Sequence, residues 1–327
     1  MNKRVYGVLG IVSKMSNWNA DFTGYPKTTS DGSVFGSDKA FKYPMKVMWQ
    51  NNGEKVLYIK SWIEYSNKKG ETDIIPRSLD ERYDYLFETE EPTDKKGKKD
   101  KIDAEKKKEV LKNLFSSIDV KNFGATFASK GNNISITGAV QIGQGMNKYE
   151  DTTSVEQQIL SPFRDASEKE GPKNVDKDEA KQSTLGTKIV SDEAHYFYPF
   201  AINPLSYNEF VELGVTEGYT EEDYIKFKEA SLMAATSFST NAKIGCENEF
   251  ALFIETDMDT YLPDLSQYIT FDKASPLNII NINVGDLINE LGERVRNVEI
   301  YYNSLTTKVN HNIKNAKEYN IFTKKDL

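Results

Sequence analysis

The sequence predicts an α+β protein of ferredoxin-like plan, a sheet with helices on one face, interrupted by two long insertions. Three observations predict it. Segments of strand and helix character follow in the order strand, helix, strand, strand, helix, strand. The composition turns polar and charged at 63–118 and again at 146–190. Finally, 327 residues with 38% hydrophobic content are enough to bury a large core as a single domain, 1–327.

Residues 4–12 are dense in Val, Leu and Ile and predict a central strand, whose Gly7 and Gly10 permit close approach of another backbone or a ligand. Lys3 and Arg4 imitate the start of a signal peptide. The apolar run is short, however, lacks a small-residue cleavage site and is closed by Lys14. Residues 13–36 have no hydrophobic period and predict a long functional loop, since Trp18, Phe22 and Tyr25 are a poor match to disorder. Those three aromatics would also suit a carbohydrate-stacking platform. Ser37 is an N-cap for a helix through Met48 that Pro44 should bend, with Asp38 favourably placed against the helix dipole. Phe41, Met45 and Met48 share one face of it. Lys39, Lys42 and Lys46 share another, either a cationic ridge suited to successive phosphates or an ordinary solvated face.

Asn52-Gly53 signals a turn before an alternating strand at 55–63. In the first insertion, 94–112 holds nine lysines against five acids and predicts a basic loop near 92–102, then a helix at 104–116. Strands at 120–129 and 134–142 form a hairpin through Lys130-Gly131-Asn132-Asn133. Gly143 and Gly145 resemble a phosphate cradle, but no Walker lysine and hydroxyl follow, so no ATP site is expected. The second insertion, 146–190, predicts a protruding arm. Its scattered apolar residues Met146, Ile159, Leu160, Phe163 and Leu185 are satellite packing or wedges inserted between bases. A strand at 194–200, a helix at 221–238 capped by Thr220, and a core strand at 250–254 follow. Strands at 277–284 and 298–302 flank a short helix at 286–291, and residues beyond 307 are expected to be peripheral.

Charge is placed unevenly. The total is −8, yet residues 1–60 carry nine basic and four acidic side chains and 61–130 carry fifteen of each, which leaves −13 on 131–327. A basic N-terminal part can present one cationic groove while the remainder stays soluble or pairs with basic partners. One cysteine, Cys246, excludes an internal disulfide, and with only His195 and His311 a zinc site is poorly supplied, so neither metal nor cofactor is predicted. No apolar run is long enough to span a membrane, and a cytoplasmic location is expected.

The element order is that of the RNA-recognition fold, so an RRM-like sheet could hold single-stranded RNA against its open side. The paired aromatic signature for base stacking on the sheet is missing, which leaves contact to the RNA backbone.

Four blocks then carry a resemblance: Arg4-Val5-Tyr6-Gly7-Val8-Leu9-Gly10, Gly36-Ser37-Asp38-Lys39-Ala40-Phe41-Lys42-Tyr43-Pro44, Phe123-Gly124-Ala125-Thr126-Phe127-Ala128 and Ser135-Ile136-Thr137-Gly138-Ala139-Val140-Gln141-Ile142-Gly143. In register, they resemble the crRNA-binding backbone subunit of type I CRISPR surveillance complexes, nearest the type I-B Cascade branch of the Cas-seven family in the RAMP superfamily. The likeness runs through most of 1–256. It implies a hand-shaped protein with an RRM-like palm, a finger insertion at 63–118 and a thumb hairpin at 146–190. It further implies that several copies line one guide crRNA in a helical filament, each thumb interrupting the stacking of guide on target DNA. At matching positions Lys39, Lys42 and Lys46 would hold guide phosphates, Asn17, Asn19 and Lys27 would line the same groove, and Gln141 and Gln144 would approach the RNA. Lys95, Lys96, Lys98 and Lys99 would face target DNA. Implied partners are a Cas-five-type subunit, a large subunit and a crRNA-processing endonuclease. Because any guide must fit, contacts would go to phosphate and ribose and leave base edges free. The family reading is not an enzyme. The alternative is a type III-like backbone subunit that cleaves target RNA with a loop aspartate, Asp21 or Asp31.

Overall fold

The computed structural model describes residues 1–66, 70–89, 104–129, 131–164 and 182–327, the side chains of 160–164 and 182–185 excepted. The first half of the chain forms β1 (Arg4–Ser16), β2 (Phe35–Gly36), α1 (Asp38–Asn51), β3 (Trp62–Ser66), β4 (Thr72–Pro76), α2 (Leu79–Phe87), α3 (Ala104–Phe115), α4 (Ile118–Phe123), β5 (Gly124–Ser129), β6 (Asn132–Thr137), β7 (Val140–Ile142) and β8 (Gly145–Asn147). The second half forms β9 (Ser154–Arg164), β10 (Gln182–Ile202), α5 (Asn208–Glu212), α6 (Glu221–Ser237), β11 (Cys246–Thr256), β12 (Ile269–Asp272), β13 (Asn278–Ile282), α7 (Gly285–Leu291), β14 (Val295–Tyr302), β15 (Thr307–His311) and β16 (Lys317–Asn320). The fold is mixed α/β. Its main sheet runs β16-β14-β11-β1-β10-β8-β2, with β7 and β9 also pairing on β10.

β1 is antiparallel to both neighbours, Val8 lying opposite Pro199 on β10 and Leu252 on β11. Its side chains alternate between two cores: Val5 and Leu9 enter one, Tyr6 and Val8 the other. Gly7 is required by this crowding. A Cβ there would lie 2.0 Å from the Leu252 carbonyl oxygen and 2.5 Å from the Phe200 ring. The close approach expected at this strand is thus made by neighbouring strands.

The first core is helical. Phe41, Met45 and Trp49 of α1 and Tyr224, Phe227 and Ala234 of α6 pack on the sheet. α6 begins with a reciprocal cap between Thr220 and Asp223. Tyr83 of α2 and Leu111, Leu114 and Phe115 of α3 join the same core, so the first insertion is rooted in the main body.

The second core covers the opposite sheet face. Ile280, Ile282 and Val309 of the three-stranded sheet β12-β13-β15, with Ile288 of α7, pack against Val8, Phe250, Leu252 and Ile300. That face is therefore covered over β1, β11 and β14, while Gln141 of β7 is exposed and Pro199 and Ala201 of β10 are only partly buried at its other end. The tail is also less peripheral than expected: β16 pairs parallel with β14, and Ile321 is fully buried. A half-buried edge needs only one apolar residue in two, so the tail's sparse Val309, Ile313 and Ile321 suffice.

Two local expectations fail for one reason. Residues 56–61 are not a strand, because the Leu57 and Tyr58 N–H groups each donate to the buried Asp119 carboxylate at 2.9 Å. Asp119 in turn sits on α4, which takes residues 120–123 of the expected strand at 120–129, and α4 ends at Gly124 with φ +76°, a conformation suited to glycine. Burial pulls the Lys46 ammonium down and Asp119, 3.5 Å away, opposes it, with a net lowering.

Asp119→Ala should therefore destabilise the fold by about 3–5 kcal/mol, since it strands a buried ammonium and two buried N–H groups. Urea unfolding checks this, and a loss under about 1 kcal/mol would show that the cluster is dispensable. A second outcome concerns acid. Burial raises the Glu299 carboxyl, but its ion pair with Lys228 more than offsets this and lowers the pKa. Its contribution is fully present above the unfolded glutamate value of about 4.3 and is lost as pH falls through the lower folded value. Glu299→Gln should flatten the pH dependence of the urea midpoint below about pH 4.3, and an unchanged slope would refute the assignment.

Candidate nucleic-acid interface

The end of β1, the start of α1, the turn after β7 and the base of the β9–β10 hairpin converge. Ser16 pairs with Ser191, and Ser191 pairs with Ser154 at the hairpin's root. The loop leaving β1 is pinned here. Asn17 is buried and its Nδ2 donates to the carbonyls of Gly24 at 2.9 Å and Ile189 at 3.1 Å, while Asn19 Oδ1 accepts the Ser37 N–H at 2.8 Å. Both asparagines thus hold the loop against the hairpin and α1. The Tyr25 hydroxyl donates to Glu156 on β9.

The three lysines of α1 meet different fates. Lys39 is exposed and among the described residues has no carboxylate partner. Lys42 reaches back to Asp38 at 2.8 Å and lies 5.1 Å from the centre of the Phe123 ring. Lys46 turns inward to Asp119 and the Tyr58 carbonyl, so it does not join an exposed ridge. Burial raises the Asp38 carboxyl, but hydrogen bonds from Lys42, the Lys39 backbone and Gln144 bring its pKa below the ordinary value. Gln144 is therefore brought to the start of α1. Lys27 is half-buried in the loop, its backbone N–H donating to the Asn19 carbonyl at 2.9 Å. Gln141 is exposed on β7 and donates to the Gly138 carbonyl at 2.8 Å.

The glycines after β7 serve packing. A Cβ at Gly145 would lie 2.4 Å from the Tyr198 ring, and one at Gly143 would lie 2.8 Å from Pro199. Trp18 is fully buried and donates to the Tyr198 hydroxyl at 2.5 Å, so it is no carbohydrate platform; Phe22 is wholly exposed. Of the wedge candidates, Met146 is half-buried on β8 opposite Phe197 and Phe35, at the hairpin's root, and Ile159 is exposed on β9. The side chains of Leu160, Phe163 and Leu185 lie outside the described residues, as do Lys95, Lys96, Lys98 and Lys99. Asp21 and Asp31 are each turned into their own loop, where hydrogen bonds from Thr23 and from Thr29 lower their pKa. Among the described residues no three His, Cys, Asp or Glu side chains gather as a metal site.

Two anchors escaped the sequence reading. Lys243 donates to the carbonyls of Asn17, at 2.6 Å, and Trp18, and burial lowers its pKa. His195 is buried at the hairpin's root, stacked on Phe271 at 3.8 Å between Glu249 and Glu193, and Lys273 pairs with Glu193 at 2.6 Å. Lys243 lies 226 residues from Asn17 along the chain, and no local pattern links such pairs.

Chemically, the arrangement offers an exposed ammonium, a second cation shared with one carboxylate, and amide groups at the mouth of a helix. These suit contact to phosphate and ribose.

A solved chain described as "CRISPR RNA-guided surveillance complex, pre-nicking" is similar at TM-score 0.56 and 13% identity, covering 97% of this chain and 96% of that one. Another, described as "CRISPR RNA-guided surveillance complex", is similar at TM-score 0.49 and 12% identity, covering 93% and 91%. Among curated proteins none is similar enough in sequence to count as a relative. The family model described as CRISPR-associated protein Cas7 matches residues 3–301. A match over nearly the whole length, with the fold it accompanies, shows that the chain belongs to the Cas7 family.

Proposed function

We propose that this protein is a backbone subunit of a type I-B Cascade surveillance complex, in which multiple copies bind guide crRNA along its spacer and support recognition of target DNA. Family membership over residues 3–301 carries the proposal. The sheet order supports an RRM-like palm: β11, β1, β10 and β8 are adjacent and antiparallel, α1 follows β1, and α6 links β10 to β11. The β9–β10 hairpin supports a thumb within 146–190, and the β3–β4 hairpin with α2 and α3 supports a finger within 63–118.

Since the second core covers the sheet over β1, β11 and β14, guide RNA would follow the margin between α1, the loop after β1 and the hairpin. Lys39 and Lys42 would take phosphates, with Lys27, Gln141 and Gln144 alongside. Asn17 and Asn19 would shape the groove through the loop they hold. Ile159 would be a wedge on the hairpin, with Leu160, Phe163 and Leu185 further candidates, and the lysine loop at 95–99 would meet target DNA. Binding one phosphate track repeatedly makes the assembly tight through effective concentration. A head-to-tail interface that does not close gives a filament, bounded by the guide and by end subunits such as the Cas-five-type subunit. The large subunit and a crRNA-processing endonuclease complete the proposed partners. No helix of the described residues is long and apolar enough to cross a membrane, which accords with the proposed cytoplasmic location. The subunit would bind without cutting.

Lys39→Glu combined with Lys42→Glu should remove copurifying RNA, read as a fall in the 260 to 280 nm absorbance ratio with the melting curve unchanged. Undiminished RNA in that variant would refute the groove. Deleting 160–185 should leave guide RNA bound but weaken capture of complementary DNA, and equal capture would count against the wedge role.

A further inference from the structure

We propose that the β3–β4 hairpin and α2 form a second nucleic-acid site, a stacking platform for single strands made by Trp62 and Tyr85 with Lys60 and Arg77. It shares no residue with the groove at α1. Trp62 is 54% and Tyr85 59% exposed, and what sets them apart from other exposed rings is the pair of cations beside them. Each carries a cation on one face. Lys60 Nζ lies 4.2 Å from the centre of the Trp62 ring, and the Arg77 guanidinium carbon 4.2 Å from that of Tyr85.

Arg77 joins the two. Its guanidinium donates to the Trp62 carbonyl and its backbone N–H to that of Ser61 at 2.8 Å, so the hairpin's open end is tied to α2. Among the described residues neither Lys60 nor Arg77 has a carboxylate partner. Two of the acids close in sequence are engaged elsewhere: Asp80 accepts from Ser129, and Glu81 accepts the Ser78 N–H at 2.7 Å in the cap of α2. The result is two exposed rings, each beside a cation with no carboxylate partner among the described residues, and Arg82 lies a further 5.6 Å from the centre of the Tyr85 ring. Such pairing binds single strands with little regard to sequence, and it rejects a duplex, whose base faces are hidden. Two cations without a carboxylate partner among the described residues favour a polyanion over an apolar protein surface.

Fluorescence tests this directly, because Trp18 and Trp49 are 0% and 3% exposed and Trp62 alone among the three tryptophans faces solvent. The full chain, with any RNA it carries, is titrated with oligo-dT and with oligo-U of about twelve nucleotides, and with a duplex of equal length. Either single strand should quench the red edge of tryptophan emission. Trp62→Ala, read by anisotropy, and Tyr85→Ala should each weaken binding roughly fivefold or more, while Trp62→Phe retains most of it. Lys60→Glu with Arg77→Glu should reduce the salt dependence of binding. Lys39→Glu should leave the quench intact even where it removes guide RNA, which separates this site from the proposed function. Equal binding of duplex, absence of quenching, or binding unchanged in the ring variants would overturn the proposal. So would shielding of Trp62 from acrylamide only by a second copy of the chain, which would mark a protein contact.

Discussion

Everything in this molecule is positioned by the burial of β1 on both faces and its hydrogen bonding along both edges. A strand so enclosed must present a near-continuous apolar sequence and must shed side chains where neighbours crowd it. Its register against β10 then decides where the chain emerges. At Ser16 the strand ends opposite Ser191, where β10 passes from the sheet into the hairpin with β9. Loop, helix start and hairpin root therefore meet at one end of β1.

The candidate interface there draws on fewer charges than the sequence offers. Of three lysines on α1, one is spent inside the fold: Lys46 helps to hold Asp119, which fixes the backbone at Leu57 and Tyr58. Lys42 is shared with Asp38. Lys39 keeps its charge for solvent. Conversely, Lys243, which belongs to no basic patch, anchors the loop by accepting burial in exchange for two carbonyl contacts. Helical spacing measures which residues share a face, but the tertiary neighbours of that face decide which of them stay charged toward solvent.

The covered second face of the sheet has a functional consequence. With β12, β13, β15 and α7 filling it over β1, β11 and β14, the proposed guide groove falls to the margin beside α1. The aromatic platform on β3–β4 and α2 is likewise separate from the sheet, and its rings come from segments more than twenty residues apart that Arg77 draws together.

By itself the sequence determined the central strand, the cap and apolar face of α1, the helix α6, the long antiparallel hairpin and the polar character of both insertions, because each depends on residues within a few positions of one another. It also held the four blocks through which the family was legible. Only the tertiary structure decided that residues 56–61 bond to a carboxylate instead of a strand, that the glycines at 143 and 145 yield space to Pro199 and Tyr198, and that the tail closes the sheet. Those outcomes turn on contacts between distant segments, whose competition for the same backbone donors and the same volume no local pattern records.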